Sequence, residues 1–166
     1  MAVRDDRRQF EHHALEIFQA GLNWLTMLKK REGLRRALAG FDPELVARFG
    51  SRDVARLVND PQIIRNRAKI QAVIHNAPLF MEISAQFGGF SRFLEQFHPR
   101  KPKIYIRESQ IPAFTRAAEA LSRALKERGF KFVGPTICYA HMQAVGIVND
   151  HIKSCFRFKE CAGGRL

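Results

Sequence analysis

Apolar side chains in this sequence recur at intervals of three and four almost throughout, and strict alternation of apolar and polar residues is nearly absent. This spacing is typical of amphipathic helices, because residues three and four positions apart share one helical face. Fourteen phenylalanines and the aliphatic residues supply enough apolar volume for a core in a chain of 166 residues. The sequence therefore predicts an all-α fold, with one helical domain spanning residues 1–166.

Capping side chains predict where several helices begin. Two Asp-Pro pairs, at 42–43 and 60–61, each place a capping carboxylate before a proline at the first helical position. Pro78 falls within the long helix predicted after the second pair, so we expect a kink or break there. The three prolines within 99–112 predict a loop, and the tail 147–166 shows no clear helical period. The other predicted caps are Asp5 or Asp6, Asn23 and Ser91, and a short helix is predicted to begin at Ser51.

The charge balance favours a polyanionic partner. Lysine and arginine number 28 against 16 acidic residues, which gives a formal net charge of +12, and we expect nucleic acid. A membrane partner is disfavoured, because the chain has no stretch of ~18 apolar residues and no long basic amphipathic helix. Basic clusters at 29–31 and 65–69 are typical of solvated helix faces. The cysteine number is odd (Cys138, Cys155 and Cys161) and no secretory leader is visible, so we expect the cytoplasm, where thiols stay reduced.

Residues 129–136, Gly-Phe-Lys-Phe-Val-Gly-Pro-Thr, lie between two predicted amphipathic helices. Gly129 can adopt the positive φ that ends the first helix, and Pro135 suits the first turn of the second. Free N–H groups there favour an anion. The order predicts a helix-hairpin-helix at about 113–146 that holds a DNA phosphate. The alternative is an ordinary helical hairpin whose glycines are caps, but the net charge favours DNA. The predicted DNA-binding residues of this segment are Lys131, Phe132, Val133, Gly134 and Thr136.

Several blocks of the sequence resemble the 3-methyladenine DNA glycosylase I family, in consistent order from about residue 10 to residue 155. These blocks are 19–24, 28–32, 41–43, 63–70, 128–139 and 142–151. The resemblance implies the all-helical fold of the helix-hairpin-helix glycosylase superfamily. It also implies a monofunctional enzyme that hydrolyses the N-glycosidic bond of 3-methyladenine in alkylated double-stranded DNA, leaves an abasic site and carries a structural zinc.

The resemblance assigns roles to individual residues. Glu16 falls where the family has the glutamate that recognises the flipped base, and Trp24 falls on a tryptophan of the base pocket. Gly21 and Leu22 fall in the turn that approaches the lesion strand. On the helical wheel alone, Glu16 lies away from the apolar face and is predicted to be solvated. Without the resemblance, the sequence places Trp24 either in a pocket or in the core.

Two zinc ligands of the family fall on His151 and Cys155. Their i, i+4 spacing places both on one side of a helical turn, which suits a shared metal. The family also begins with a segment that carries a cysteine and a histidine ligand, and tryptophan and tyrosine residues of the pocket wall. This sequence has no counterpart of that segment, so we expect only two of the four zinc ligands. Asp150 lies after the second hairpin helix, where a capping or structural role is favoured over the activation of water.

Three functional hypotheses follow. The first is a monomeric DNA glycosylase with no membrane partner, in which Glu16 and Trp24 recognise the base. The second is a non-catalytic helix-hairpin-helix protein that binds DNA without releasing a base. The third is a basic helical protein with an RNA or membrane partner, which preferential binding to vesicles over DNA would support.

Overall fold

The structure, a computed structural model, describes residues 3–99 and 103–162. All regular secondary structure within these ranges is helical, which confirms the all-α prediction. The α-helices in chain order are α1 (Asp6–Gln19), α2 (Trp24–Ala37), α3 (Pro43–Val46), α4 (Ser51–Asn59), α5 (Arg67–Phe87), α6 (Phe90–Glu95), α7 (Arg116–Glu127), α8 (Pro135–Ala144) and α9 (Arg157–Ala162). Single 3-10 turns lie at Ala39–Phe41 and Glu108–Gln110.

The core is built around α5, which packs against α1, α3, α4 and α6. The ring of Phe80, on α5, stacks on Phe90 of α6 with 4.1 Å between centroids. The same ring meets Phe10 of α1 edge-on at 5.2 Å. All three rings are fully buried, and removing one such ring from a core costs ~3–5 kcal/mol of stability. This aromatic cluster fixes α1 and α6 on α5.

Three predicted helix starts are confirmed by their caps. The Asp5 carboxylate accepts from the Arg8 N–H at 2.8 Å, and the Asn23 side chain accepts from the Thr26 N–H at 2.8 Å. The Asp42 carboxylate accepts from the first turn of α3, with a proline at its first position. Each cap acts within three residues, so the sequence alone carries the signal.

The predicted start of α5 is wrong, and the predicted break at Pro78 does not occur. Asp60–Pro61 opens a turn, in which the Asp60 carboxylate accepts from the Gln62 N–H at 2.8 Å, and the helix begins only at Arg67. The helix then runs through Pro78 without a break. Pro78 is exposed, whereas residues on both sides of it are packed in the core, and this packing holds the two halves of the helix together.

The ends of α6 and of the tail also differ from the prediction. Ser91 does not cap α6, which starts at Phe90, and the Phe90 N–H donates to the Asp6 carboxylate of α1 at 2.9 Å. The tail contains α9, which is too short to show a period in the sequence. By contrast, residues 103–107 form no strand and no helix, as expected for the predicted loop. Across 3–99 and 103–162, no helix is long and apolar enough to cross a membrane.

Candidate active site and nucleic-acid interface

A cavity of about 540 Å³ opens between α1, the start of α2, the end of α8 and the segment that follows α8. Glu16 and Trp24 line it from the first two helices, and Gln143, Asp150 and His151 line it from the other side. The Gln143 amide donates to the Asp150 carboxylate at 2.7 Å, so Asp150 has a polar partner inside the wall. Asp150 caps no helix. The cavity therefore brings together residues from both ends of the chain.

Glu16 is buried, with only 6% of its surface exposed. The wheel prediction of a solvated glutamate is wrong, because α1 is covered by α2, α5, α6 and α8 and has no solvent face at this turn. No described group donates a hydrogen bond to the carboxylate, and burial raises the pKa of Glu16 to about 7. A lone carboxylate in such surroundings attracts a cation strongly, because little water screens its charge.

Trp24 is the first residue of α2 and stands at the rim of the cavity rather than in the core. Its side chain is 48% exposed. One side faces the cavity of Glu16, and the ring also borders a smaller cavity of about 190 Å³. An exposed ring beside a buried carboxylate suits a flat, positively charged ligand.

The turn between α1 and α2 carries Gly21 and Leu22. Gly21 has φ +78°, which favours glycine, and Leu22 is 39% exposed. Lys69 of α5 supports this turn, because its ammonium group donates to the Phe18 carbonyl at 2.9 Å and to the Ala20 carbonyl. Lys69 is itself buried, and burial lowers its pKa. The sequence prediction of a solvated basic face is wrong at this position, since the partners of Lys69 lie about fifty residues away.

The loop at 128–134 joins α7 to α8, and Gly129 there has the predicted positive φ, at +87°. Among the described residues, no acceptor faces the N–H groups of Phe132, Gly134 and Thr136. These donors lie at the N-terminal end of α8, which carries partial positive charge. The arrangement fits an anion outside the protein.

The predicted DNA-binding side chains of this loop differ in exposure. Lys131 and Thr136 are exposed, and Phe132 is 39% exposed with φ +56°. Val133 is buried, and its carbonyl accepts from the Ser122 hydroxyl at 2.6 Å. Val133 therefore anchors the loop from inside and does not present its side chain to a partner.

Neither the backbone conformation of Gly134 nor its packing within the protein requires glycine. Its φ of −62° and ψ of 159° suit any residue, and a Cβ added there would meet no atom within 4 Å. By contrast, a Cβ on Gly33 would lie 2.3 Å from the Gln62 carbonyl oxygen. The space beside Gly134 is therefore available to a binding partner that approaches the N-terminus of α8 from outside the protein.

His151 and Cys155 lie together in a segment without regular helix, with Nδ1 and Sγ 3.5 Å apart. Tetrahedral zinc holds a histidine nitrogen at about 2.0 Å and a thiolate at about 2.3 Å, which places the two ligand atoms about 3.6 Å apart. This pair fits one edge of such a site. Within 3–99 and 103–162, no cluster of three or more histidine, cysteine or acidic side chains could share a metal, so these residues do not complete a four-ligand site.

Comparison with known proteins gives consistent matches over almost the whole chain. A family model described as methyladenine glycosylase matches residues 1–158. DNA-3-methyladenine glycosylase 1 of Escherichia coli (strain K12) is 48% identical over 153 residues, which cover 91% of this chain and 82% of that protein.

Solved structures give the same match in three dimensions. A crystal structure of 3-methyladenine DNA glycosylase I has a TM-score of 0.88 and 46% identity, covering 94% of this chain and 87% of that one. A structure of the Staphylococcus aureus 3-methyladenine DNA glycosylase I, concerned with 3-methyladenine recognition, has a TM-score of 0.88 and 36% identity. It covers 94% of this chain and 84% of that one.

Proposed function

The chain belongs to the methyladenine glycosylase family, and from this premise we propose that it hydrolyses the N-glycosidic bond of 3-methyladenine in alkylated DNA. The observation that carries the proposal is the solitary, buried carboxylate of Glu16, which faces a cavity with Trp24 at its rim. A site of this kind selects a flat cation over a neutral base of the same shape.

The reaction requires little general acid catalysis from the protein. Methylation at N3 makes the base cationic, which weakens the bond between its N9 and the sugar C1′. The nucleotide swings out of the helix, and the ionised Glu16 and the face of Trp24 hold the charged base. Water then attacks C1′, and the electron pair of the broken bond leaves with the base, which becomes neutral. The water releases one proton to solvent, and an abasic site remains.

The α7–α8 segment acts in this proposal as a helix-hairpin-helix that grips the DNA backbone. The unpaired N–H groups of Phe132, Gly134 and Thr136 supply donors for a phosphate, and Lys131 adds positive charge. Open space at Gly134 lets the backbone of the DNA come close. The net charge of +12 favours binding to DNA independently of the base sequence.

The Gly21–Leu22 turn is the second DNA-contacting segment in the proposal. Leu22 is exposed in the turn that precedes Trp24, and an apolar side chain there can enter the space that the flipped nucleotide leaves. Gly21 permits the left-handed backbone that points Leu22 outward. The turn therefore lies next to the pocket in which the base is held.

We further propose a monomer that works in the cytoplasm. Support for a reducing compartment comes from Cys138, Cys155 and Cys161, all of which are free thiols. His151 and Cys155 would hold one edge of a zinc site, where a metal would only stiffen the segment after α8. No step of the reaction passes through that metal.

The test is release of 3-methyladenine from methylated duplex DNA, followed by chromatography, for the wild type and for Glu16→Gln. We expect release by the wild type well above the uncatalysed rate, and a rate at least ~100-fold lower for Glu16→Gln. Binding of duplex DNA without any base release by the wild type would overturn the glycosylase proposal and leave a DNA-binding protein.

A further inference from the structure

Helix α5 holds both of the proposed DNA-contacting segments through two buried polar side chains. We propose that Lys69 and Asn76 are positioning residues that fix the Gly21–Leu22 turn and the α7–α8 loop at a set separation, so that both meet one DNA duplex. This inference rests on the proposed function. Neither residue touches the substrate, and each acts through the main chain that it holds.

Asn76 holds the α7–α8 loop with both ends of its amide. Its side-chain oxygen accepts from the Lys131 N–H at 2.9 Å, and its side-chain nitrogen donates to the Lys131 carbonyl at 2.9 Å. The remaining N–H donates to Nε2 of His13, at 3.1 Å. Burial lowers the pKa of His13 to about 4, so the ring is neutral, and Nε2 accepts this bond in the tautomer that carries its proton on Nδ1. Asn76 is completely buried and every donor of its amide is used.

These contacts place the loop relative to the helix that carries Glu16. His13 lies on α1 one turn before Glu16, and Lys131 directly precedes Phe132, where the backbone takes φ +56°. The neighbouring His75 adds a hydrogen bond from Nε2 to the Gly129 carbonyl at 2.9 Å. The loop is therefore held on α5 at two points, immediately before the donors that face outward.

Lys69 holds the other segment from the same helix. Its ammonium group donates to the Phe18 carbonyl in the last turn of α1 and to the carbonyl of Ala20, the residue that ends α1 before the Gly21–Leu22 turn. Lys69 and Asn76 lie two turns apart on α5, so they point to the same side with a rise of ~10 Å between them. Helix α5 thus sets the spacing of the two segments.

General stability is a poor explanation for these two side chains. Fully buried asparagine and lysine are costly unless every polar group is satisfied, and an apolar residue would fill the same space without that cost. What an apolar residue cannot do is bind the main chain of a loop that has no regular secondary structure. The two side chains therefore act on the position of the loops more than on the core.

The test separates DNA binding from base binding. Asn76→Asp keeps an acceptor for the Lys131 N–H but loses the donors to the Lys131 carbonyl and to His13. Lys69→Met keeps most of the length of the side chain and loses the ammonium group with its charge. Asn59→Asp is the matched control, because Asn59 is an exposed helical asparagine that bonds only to the Ala55 carbonyl. Each protein is assayed on methylated duplex DNA and, through the fluorescence of Trp24, with free 3-methyladenine.

We expect the duplex concentration at half-saturation to rise ~10-fold in Asn76→Asp and in Lys69→Met. The single-turnover rate at saturating DNA and the affinity for the free base stay within about twofold of the wild type, and Asn59→Asp is unchanged. Wild-type behaviour of both variants would overturn the inference. So would an equal loss of duplex and free-base affinity, which reports a loosened fold. Failure of the proposed function is distinct, since the wild type would then release no base.

Discussion

Glu16 and Trp24 line one cavity from successive helices, and the carboxylate is buried while the indole is about half exposed. The negative charge therefore lies at the inner wall and the aromatic face lies at the entrance. A cationic base that enters passes along the ring before it reaches the carboxylate. If the cavity binds the base as proposed, the strength of binding depends on the ionisation of a single side chain, Glu16.

Base release should depend on pH through Glu16. Burial raises the pKa of this carboxyl to about 7, so its ionised fraction increases as the pH rises toward and above that value. We expect the single-turnover rate to increase about tenfold per pH unit below pH 7 and to level off above it. The measurement is base release between pH 5.5 and pH 8.5 at saturating DNA. A profile for Glu16→Gln with the same rise would contradict the assignment.

Removing the charge of Glu16 should stabilise the fold at high pH. The pKa of this carboxyl rises from its ordinary value of 4.5 to about 7 on folding, so the folded state binds the proton more tightly than the unfolded state. The resulting stability is complete below pH 4.5 and is lost as the pH rises through 7. At pH 8, Glu16→Gln should increase the free energy of unfolding by about 2–3 kcal/mol, measured by urea denaturation. At pH 4 the two proteins should be equally stable.

Trp24 is the single tryptophan of the chain, so its fluorescence reports on the cavity directly. Free 3-methyladenine should change its emission with a saturable dependence on concentration. In Glu16→Gln, which keeps the ring, the emission should still respond to this neutral base. Trp24→Ala, followed by calorimetry, should bind the base up to about tenfold more weakly, as expected for the loss of ~0.5–1.5 kcal/mol of aromatic stacking. Unchanged emission in the wild type would place the base elsewhere.

Gly134→Glu should weaken DNA binding without weakening the fold. The glutamate would occupy open space at the N-terminus of α8 and oppose a phosphate by bulk and charge. We expect duplex affinity to fall more than ~10-fold, with the free energy of unfolding changed by less than ~1 kcal/mol. Gly50→Glu is the matched control, because Gly50 also precedes the first turn of a helix and also has open space around it. Equal effects of the two substitutions on affinity would show that charge alone is responsible.

Metal binding at His151 and Cys155 should be weak if these two donors act without further protein ligands. Two of four ligands leave the other positions of zinc to water. We expect a chelator to remove any zinc that the purified protein binds. Before chelation, Cys155→Ala should contain less zinc than the wild type, and its rate of base release should be unchanged. Chelator-resistant zinc at one ion per chain, measured by elemental analysis, would contradict this.

The sequence predicts local features of this fold better than distant ones. The caps at Asp5, Asn23 and Asp42 follow from the sequence, because each acts on N–H groups within three residues. The start of α6 does not, because the Phe90 N–H bonds to Asp6, which lies 84 positions away. Helical periodicity predicts the fold class because burial of apolar faces is repeated in every long helix.

The site follows the same division. The wheel predicts a solvated Glu16, since one helix cannot show which neighbours cover its polar face, and only the family resemblance indicates a functional role. The hydrogen-bond partners of Lys69 lie about fifty positions away in the sequence, and those of Asn76 lie farther still. No local sequence pattern therefore predicts the role of either residue. Gly134 is recognisable in sequence, because the glycine before Pro135 stands at a helix start.

Because no described group donates a hydrogen bond to the Glu16 carboxylate, this side chain also affects how undamaged nucleotides bind in the cavity. Ordinary adenine is uncharged, and in the same cavity it would leave the carboxylate without a counter-ion and would displace the water that still reaches it. We therefore expect undamaged nucleotides to be rejected by the cost of desolvating an uncompensated carboxylate rather than by steric exclusion. Discrimination therefore needs no tight steric gate, and a roomy pocket suffices.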